Sequence, residues 1–187
     1  MHVVAEPLPG LLVLEPRVFG DARGYFFETY NARAWREASV DADFVQDNEA
    51  FSRRGVLRGL HYQRGEFAQA KLVRVMRGEV VDVAVDLRAG SPTYGQHHAV
   101  RLSGDNKLQF FVPRGFAHGY AVLSDEAVFA YKCDNFYAPA SEGGLRWDDP
   151  QLAVDWGLSA GEVQVSEKDA VLPHLGRHAD AGVAFAG

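Results

Sequence analysis

Residues 55–75 read GVLRGLHYQRGEFAQAKLVRV, and the fold follows from how that stretch can be laid out. Leu57, Leu60, Ala70, Leu72, Val73 and Val75 suit a sheet interior, whereas Arg58, His61 and Lys71 are types that a core ordinarily excludes. Side chains of a strand alternate between its two faces. Strict alternation places Arg58 with Leu60 on one face and Leu57 with His61 on the other. Lys71 falls in the row of Val73 and Val75, with Leu72, Arg74 and Met76 opposite. A cation on the inner face of a sheet is either paired or used, so the stretch reads as one wall of a lined cavity.

Outward from this wall, short apolar runs recur between turn signals. N-terminal to it, residues 11–18 and 25–30 read as strands around the turn Gly20-Asp21-Ala22-Arg23-Gly24. Asn31 is placed to cap a helix over residues 31–38, in which Ala34, Trp35 and Ala38 have helical spacing. Residues 44–51 are extended, with Gln46 and Asn48 on one face. The remaining strand-like runs are 56–63, 71–76, 80–87, 97–102, 109–112, 119–123 and 128–132. Many short strands with almost no helix between them predict an all-β, double-sheet barrel or sandwich and not a parallel α/β sheet. Beyond Tyr137 the pattern loosens into an irregular C-terminal arm. Ser166 can start a short helix, and the Ala/Gly-rich tail after His174 reads as mobile. No repeat and no long linker interrupts residues 1–187, which reads as a single domain.

Composition narrows the class. A chain of 187 residues, 47% hydrophobic and 24% charged, is ordinary for one globular domain. A formal net charge of −6 argues against a broad nucleic-acid-binding face. The single cysteine, Cys133, precludes an intramolecular disulfide and fits a reducing, cytoplasmic setting. No basic leader precedes the apolar run 11–14, which Glu15 interrupts, and no stretch is long enough to span a membrane.

Pro113-Arg114-Gly115-Phe116-Ala117-His118 has the form PxGxxH and resembles the second motif of the cupins, small jelly-roll barrels that often hold a metal. A metal-binding cupin's first motif supplies HxH and a glutamate. Here that place offers His61-Tyr62-Gln63 with Glu66. An amide in place of an imidazole makes a poor transition-metal site, so no metal and no other cofactor is expected. His97-His98 reads as surface. Arg58, His61, Lys71, His118 and Tyr131 all fall in strands of one sheet system. A base, a cation and a phenol inside a barrel suit proton removal beside a carbonyl. Histidine takes a proton near neutral pH, lysine steadies the enolate oxygen, and tyrosine returns a proton from the other side. On residue type alone, the favoured reading of Tyr131 is a barrel tyrosine with its hydroxyl tied to backbone. Surface arginines and core aromatics are the plainer reading of Arg23, Arg58, Phe26 and Tyr137; the functional reading sets Arg23 and Arg58 at the flanks of one cavity, where two arginines can clamp a diphosphate, with Phe26 and Tyr137 available to stack on a flat base.

DARGYFFETYN (21–31), QDNEAFSRRGVLRGLHYQ (46–63), QAKLVRVMRGEVVDVAVDLRAGSPTYG (69–95), FVPRGFAHGYAVLS (111–124), YKCDNFYAPASEGGLRWDDP (131–150) and SEKD (166–169) carry a further resemblance. In this order they are similar to successive blocks of the dTDP-4-dehydrorhamnose 3,5-epimerases, from about Gly10 to Pro173. The resemblance implies a cupin-type jelly roll that needs no metal, and a homodimer in which a strand of each subunit joins the partner's sheet and site. It implies that His61 is the base, Asp169 the carboxylate that orients it, Tyr131 the acid on the far face of the sugar, and Lys71 the residue at the enolate oxygen. It further implies that Gln46, Asn48, Arg58 and His118 line the sugar and phosphate pocket, that Tyr137 stacks on the base, and that Arg23, Phe26 and Glu28 contact the nucleotide, from the other subunit if the strands exchange. The substrate implied is a dTDP-linked 4-keto-6-deoxy sugar epimerised at C3 and C5. Relatives sharing the blocks invert one centre only or act on GDP-linked sugars, and a non-catalytic sugar-nucleotide-binding cupin is the alternative of another class. Gly157 stands where the family commonly has proline, and Val165 where leucine is frequent.

Overall fold

The computed structural model describes residues 1–38, 40 and 42–186. Its strands are β1 (His2–Leu8), β2 (Leu11–Glu15), β3 (Phe19–Asp21), β4 (Gly24–Phe26), β5 (Gln46–Arg53), β6 (Leu57–Gln63), β7 (Lys71–Arg77), β8 (Glu79–Asp86), β9 (His97–Ser103), β10 (Gln109–Val112), β11 (Phe116–Val122), β12 (Glu126–Cys133) and β13 (Glu142–Gly144). Two short helices, α1 (Ala32–Glu37) and α2 (Glu167–Ala170), lie outside the sheets. A six-stranded sheet in the order β1-β2-β10-β7-β12-β5 faces a five-stranded sheet in the order β13-β6-β11-β8-β9, and the strand pairs within them are antiparallel. This is the double-sheet barrel that the spacing of the runs predicts.

Three apolar layers hold the sheets together. Between them, Val73, Val75, Phe110 and Phe129 of the larger sheet pack on Val80, Ala84, Phe116 and Val122 of the smaller. The outer face of the five-stranded sheet is covered by the C-terminal arm, with Leu145, Leu152 and Trp156 against Leu57, Leu60, Val81 and Val83. The outer face of the six-stranded sheet takes α1, whose Trp35 is 1% exposed and packs with Leu12, Leu14 and Leu72. Because both faces are covered, β8 and β11 read as nearly continuous apolar runs.

Several boundaries differ from the sequence reading. A strand over residues 25–30 shrinks to Gly24–Phe26, paired only with Phe19–Asp21 in an exposed hairpin. Its aromatics lack a covering layer within the chain. β1 has no counterpart in that reading; its burial is irregular and two register shifts break its pairing with β2. Asn31 caps α1 as expected, accepting from the backbone of Arg33 and Ala34. His97 and His98 are half-buried, not surface residues. Residues 175–186, read as a loose tail, are laid against the barrel. Ala89 and Ala184 form a parallel bridge, Gly65 N donates to Ala181 O at 2.9 Å, and Tyr62 Oη donates to Ala179 O. Small side chains let this segment approach the strands closely. Gly157 has φ +66°, a value that proline's ring cannot adopt.

Candidate active site

The interior end of the barrel between β6, β7, β11 and β12 opens into a cavity of about 570 Å³. Arg58, His61, Lys71, His118, Tyr131 and Asp169 line it together. Arg58 and His61 are an odd number of residues apart, and strict alternation would separate them. β6 is bulged: His61 pairs with His118 and Arg58 with Tyr120, so two residues, Gly59 and Leu60, oppose the single Gly119. Gly59 has φ +126°, and a Cβ there would lie 2.6 Å from the Gly119 Cα. The bulge turns both side chains into the cavity.

His61 and Asp169 form the central contact. His61 Nε2 lies 2.7 Å from Asp169 Oδ1, and the Asp169 side chain is only 5% exposed. Asp169 is fixed from two other sides: Gly59 N donates to Oδ2 at 3.3 Å, and the Ser166 side chain caps α2 by accepting from Asp169 N. Burial pushes the Asp169 carboxyl up, but the His61 contact and these donors outweigh it and hold the group below its ordinary value. An ionised carboxylate on Nε2 makes that nitrogen the donor. The neutral ring then presents Nδ1 as base.

Tyr131 stands on β12, across the barrel from β6. Its phenol is raised above its ordinary value by burial, then by Cys133 and Tyr120, with Arg58 opposing. It is therefore a neutral donor at physiological pH. No described residue hydrogen-bonds its hydroxyl, so the structure does not tie it to backbone. Lys71 is lowered by burial, while Cys133, Asp82 and Glu142 pull the other way. His118 is 6% exposed and its Nε2 lies 2.8 Å from Asp82 Oδ1.

A second cavity of about 350 Å³ meets the first at His61, Lys71 and Tyr131. Gln46, Asn48, Tyr137 and Glu142 also line it. Gln46 Nε2 donates to Asn48 Oδ1 at 3.0 Å, and Tyr137 Oη donates to Glu142 Oε2 at 2.8 Å. Glu142 also receives Lys168 Nζ at 2.5 Å.

The remaining candidates lie elsewhere within one chain. Arg23 and Arg58 do not flank one cavity. Arg23 and Phe26 sit in the open groove of the β3–β4 hairpin, where Arg23 is held by Asp21 at 2.5 Å. Glu28 accepts from Asn31 Nδ2 at 3.1 Å beside α1. Their side chains lie on the outside of the chain because the hairpin projects from the barrel. Sequence reasoning missed Asp82, Tyr120, Glu142 and Lys168. Asp82 left a signal: in EVVDVAVD it has the parity of Val80 and Ala84, an acid in an inward apolar row. Among the described residues no three His, Cys, Asp or Glu side chains converge as a metal site.

The sequence profile of a family described as dTDP-4-dehydrorhamnose 3,5-epimerase matches residues 5–177. The dTDP-4-dehydrorhamnose 3,5-epimerase of Pseudomonas aeruginosa is 56% identical over 170 residues, 90% of this chain and 93% of that protein. That of Methanothermobacter thermautotrophicus is 53% identical over 167 residues, 89% of this chain and 90% of the relative. A crystal structure of the Legionella pneumophila dTDP-6-deoxy-D-glucose-3,5-epimerase in complex with dTDP-4-keto-L-rhamnose superposes with a TM-score of 0.93 at 47% identity, covering 100% of this chain and 98% of that one. A 3′-monoepimerase from Streptomyces bikiniensis, solved with dTDP-quinovose, gives 0.83 at 32% identity over 94% of this chain and 88% of its own. With the barrel and the His61–Asp169 site in place, these matches over nearly the whole chain settle the relationship: the chain belongs to the dTDP-4-dehydrorhamnose 3,5-epimerase family.

Proposed function

We propose that this chain carries out its family's reaction with His61 as base and Tyr131 as acid, converting dTDP-4-dehydro-6-deoxy-D-glucose to dTDP-4-dehydro-L-rhamnose for L-rhamnose biosynthesis. The C4 ketone acidifies the protons at C3 and C5. His61, oriented by Asp169, removes a proton; Lys71 stabilises the enolate oxygen; Tyr131 delivers a proton to the opposite face, and the centre inverts. His61 then gives up its proton to solvent and Tyr131 takes one back, and repetition at the second carbon completes the reaction. The observation that carries this reading is the placement of a carboxylate-bound imidazole and a neutral phenol on facing sheets of one cavity. A binding-only cupin has no need of both an acid and a base.

Arg58, His118, Gln46 and Asn48 line the sugar and phosphate part of the joined cavities, and Tyr137 stands at the rim for the base. Arg23, Phe26 and Glu28 act on the nucleotide from the partner of a homodimer, because within one chain they face away from His61. Reading both centres rather than one is supported by identities near 50% to relatives named 3,5-epimerases, against 32% to the 3′-monoepimerase. The buried, single Cys133 suits a cytoplasmic setting, and no described helix is long and apolar enough to cross a membrane.

The test is a coupled assay in which a dTDP-4-keto-rhamnose reductase oxidises NADPH only when the doubly inverted product appears. Wild-type protein gives NADPH oxidation, and His61→Ala gives none while still binding dTDP. Undiminished turnover by His61→Ala refutes the assignment.

A further inference from the structure

Asp82 is fully buried on β8 and does not line the cavity, yet two cavity residues lean on it. His118 Nε2 meets its Oδ1 at 2.8 Å. Its Oδ2 is buried and has no hydrogen-bond partner among the described residues. An unsatisfied carboxylate oxygen costs free energy unless a nearby charge compensates it. Burial pushes the Asp82 carboxyl up, while His118 of β11 and Lys71 of β7 favour its charged form; Tyr120 of β11 is the other titratable group facing it.

From the side of Lys71 the same residue stands out. Among the described residues Lys71 forms no ion pair. Its acidic neighbours are Cys133 of β12, Glu142 of β13 and Asp82 of β8. Burial pushes the Cys133 thiol up to about 11, so it carries no charge near neutrality. Glu142 is already engaged by Lys168 and Tyr137. Of the three, Asp82 is the one whose free carboxylate oxygen is fully buried and without a hydrogen-bond partner among the described residues.

We propose that Asp82 is a positioning residue whose single negative charge keeps Lys71 an ammonium and holds His118 as a neutral ring with its proton on Nε2. A buried site tolerates one compensated ion pair better than three charges, so His118 stays uncharged and Asp82 answers Lys71. The cavity then holds an electrophilic ammonium for the enolate oxygen, and His118 Nδ1 is a hydrogen-bond acceptor. This rests on the epimerase reading only in its kinetic consequence.

Two measurements test it. In Asp82→Asn the basic limb of the kcat–pH profile moves about one unit or more toward acid, the size expected for loss of a nearby opposite charge. Turnover above neutral pH falls correspondingly, with KM changed less than threefold. An unmoved limb in a folded Asp82→Asn protein overturns the proposal. Lysine ¹³Cε and histidine ¹⁵N NMR of the unmutated protein decides the point even if Asp82→Asn does not fold, with Lys71→Arg and His118→Gln spectra for assignment. At pH 7 the expected result is a charged Lys71 and a neutral His118 protonated on Nε2. A neutral Lys71, an imidazolium at His118 or a proton on Nδ1 overturns it. If wild-type protein fails to turn over the dTDP-4-keto sugar, the epimerase reading fails, and the NMR result still stands or falls alone.

Discussion

At the residue scale, the proposed division between base and acid rests on two groups whose protonation states are set by their surroundings. Asp169 stays ionised through its contact with His61 and the backbone N–H of Gly59, and Tyr131 stays neutral because burial disfavours the phenolate. Asp169→Asn keeps the shape but removes the charge that orients the imidazole, so kcat falls by about 10²- to 10⁴-fold, the range for general acid–base catalysis. Steady-state kinetics at saturating substrate checks it. The same substitution has a pH signature in stability. Asp169 has its carboxyl depressed in the fold, so its contribution is fully present above the unfolded value, about 3.9, and is lost as pH falls through the folded value. Wild type is therefore the more stable protein at pH 5–7, and its advantage in denaturant midpoint disappears in strong acid. Tyr131→Phe removes the far-face donor and leaves the base. Deuterium enters the substrate from D₂O with retained configuration, whereas a loss of exchange equal to that of a His61 variant would deny the division between base and acid. His61, Lys71, Tyr131 and Asp169 were recognisable in the sequence because their blocks resemble a known family. Asp82 was not, because an acid in an apolar row becomes meaningful only once His118 and Lys71 are seen beside it.

At the element scale, the bulge in β6 and the start of α2 bring the dyad together. Gly59→Ala drives a Cβ against the Gly119 backbone at 2.6 Å in a left-handed conformation. Destabilisation of about 1–3 kcal/mol is expected from the backbone strain alone. The accompanying shift of Arg58 and His61 lowers kcat as well; thermal denaturation and turnover measured together check both. Ser166→Ala removes the cap of α2 and costs about 1 kcal/mol. It frees Asp169 N, so turnover falls while dTDP binding changes little. The strands of the barrel were legible because apolar runs and turn residues alternate along the chain: 109–112 matches β10 at both ends, and β7, β9 and β12 differ by no more than two residues at either end. β6 was legible as a strand but not as a bulged one. Alternation alone put Arg58 and His61 on opposite faces, and nothing in RGLH announces that Gly59 takes φ +126°. The 25–30 run failed for a different reason: Tyr30 turns away to pack beside Trp35, while Tyr25 and Phe26 look like core but stay exposed within one chain.

At the scale of the whole molecule, the outward hairpin and the inward cavity fit a dimer whose sites are completed in trans. Among the described residues Arg23 pairs with the neighbouring Asp21 alone, on a solvated surface, and exposed pairs contribute little to stability. Arg23→Ala therefore leaves the melting temperature unchanged and raises KM, with kcat nearly constant. Mixing an Arg23→Ala protein with a His61→Ala protein restores one normal site per heterodimer, so turnover at substrate well below the raised KM exceeds the sum of the two parents. Absence of that recovery in a mixture shown to exchange subunits would place the nucleotide contacts elsewhere. The proposed dimer could not be read from periodicity, because a face that awaits a partner has the same pattern as one covered by its own chain. The most direct measurement of the central claim is proton NMR of dTDP-4-dehydro-6-deoxy-D-glucose incubated with the protein in D₂O. One cavity with a base and an acid on opposite walls predicts deuterium at both C3 and C5, in a product with both centres inverted. Exchange confined to one carbon, or to neither, would contradict it.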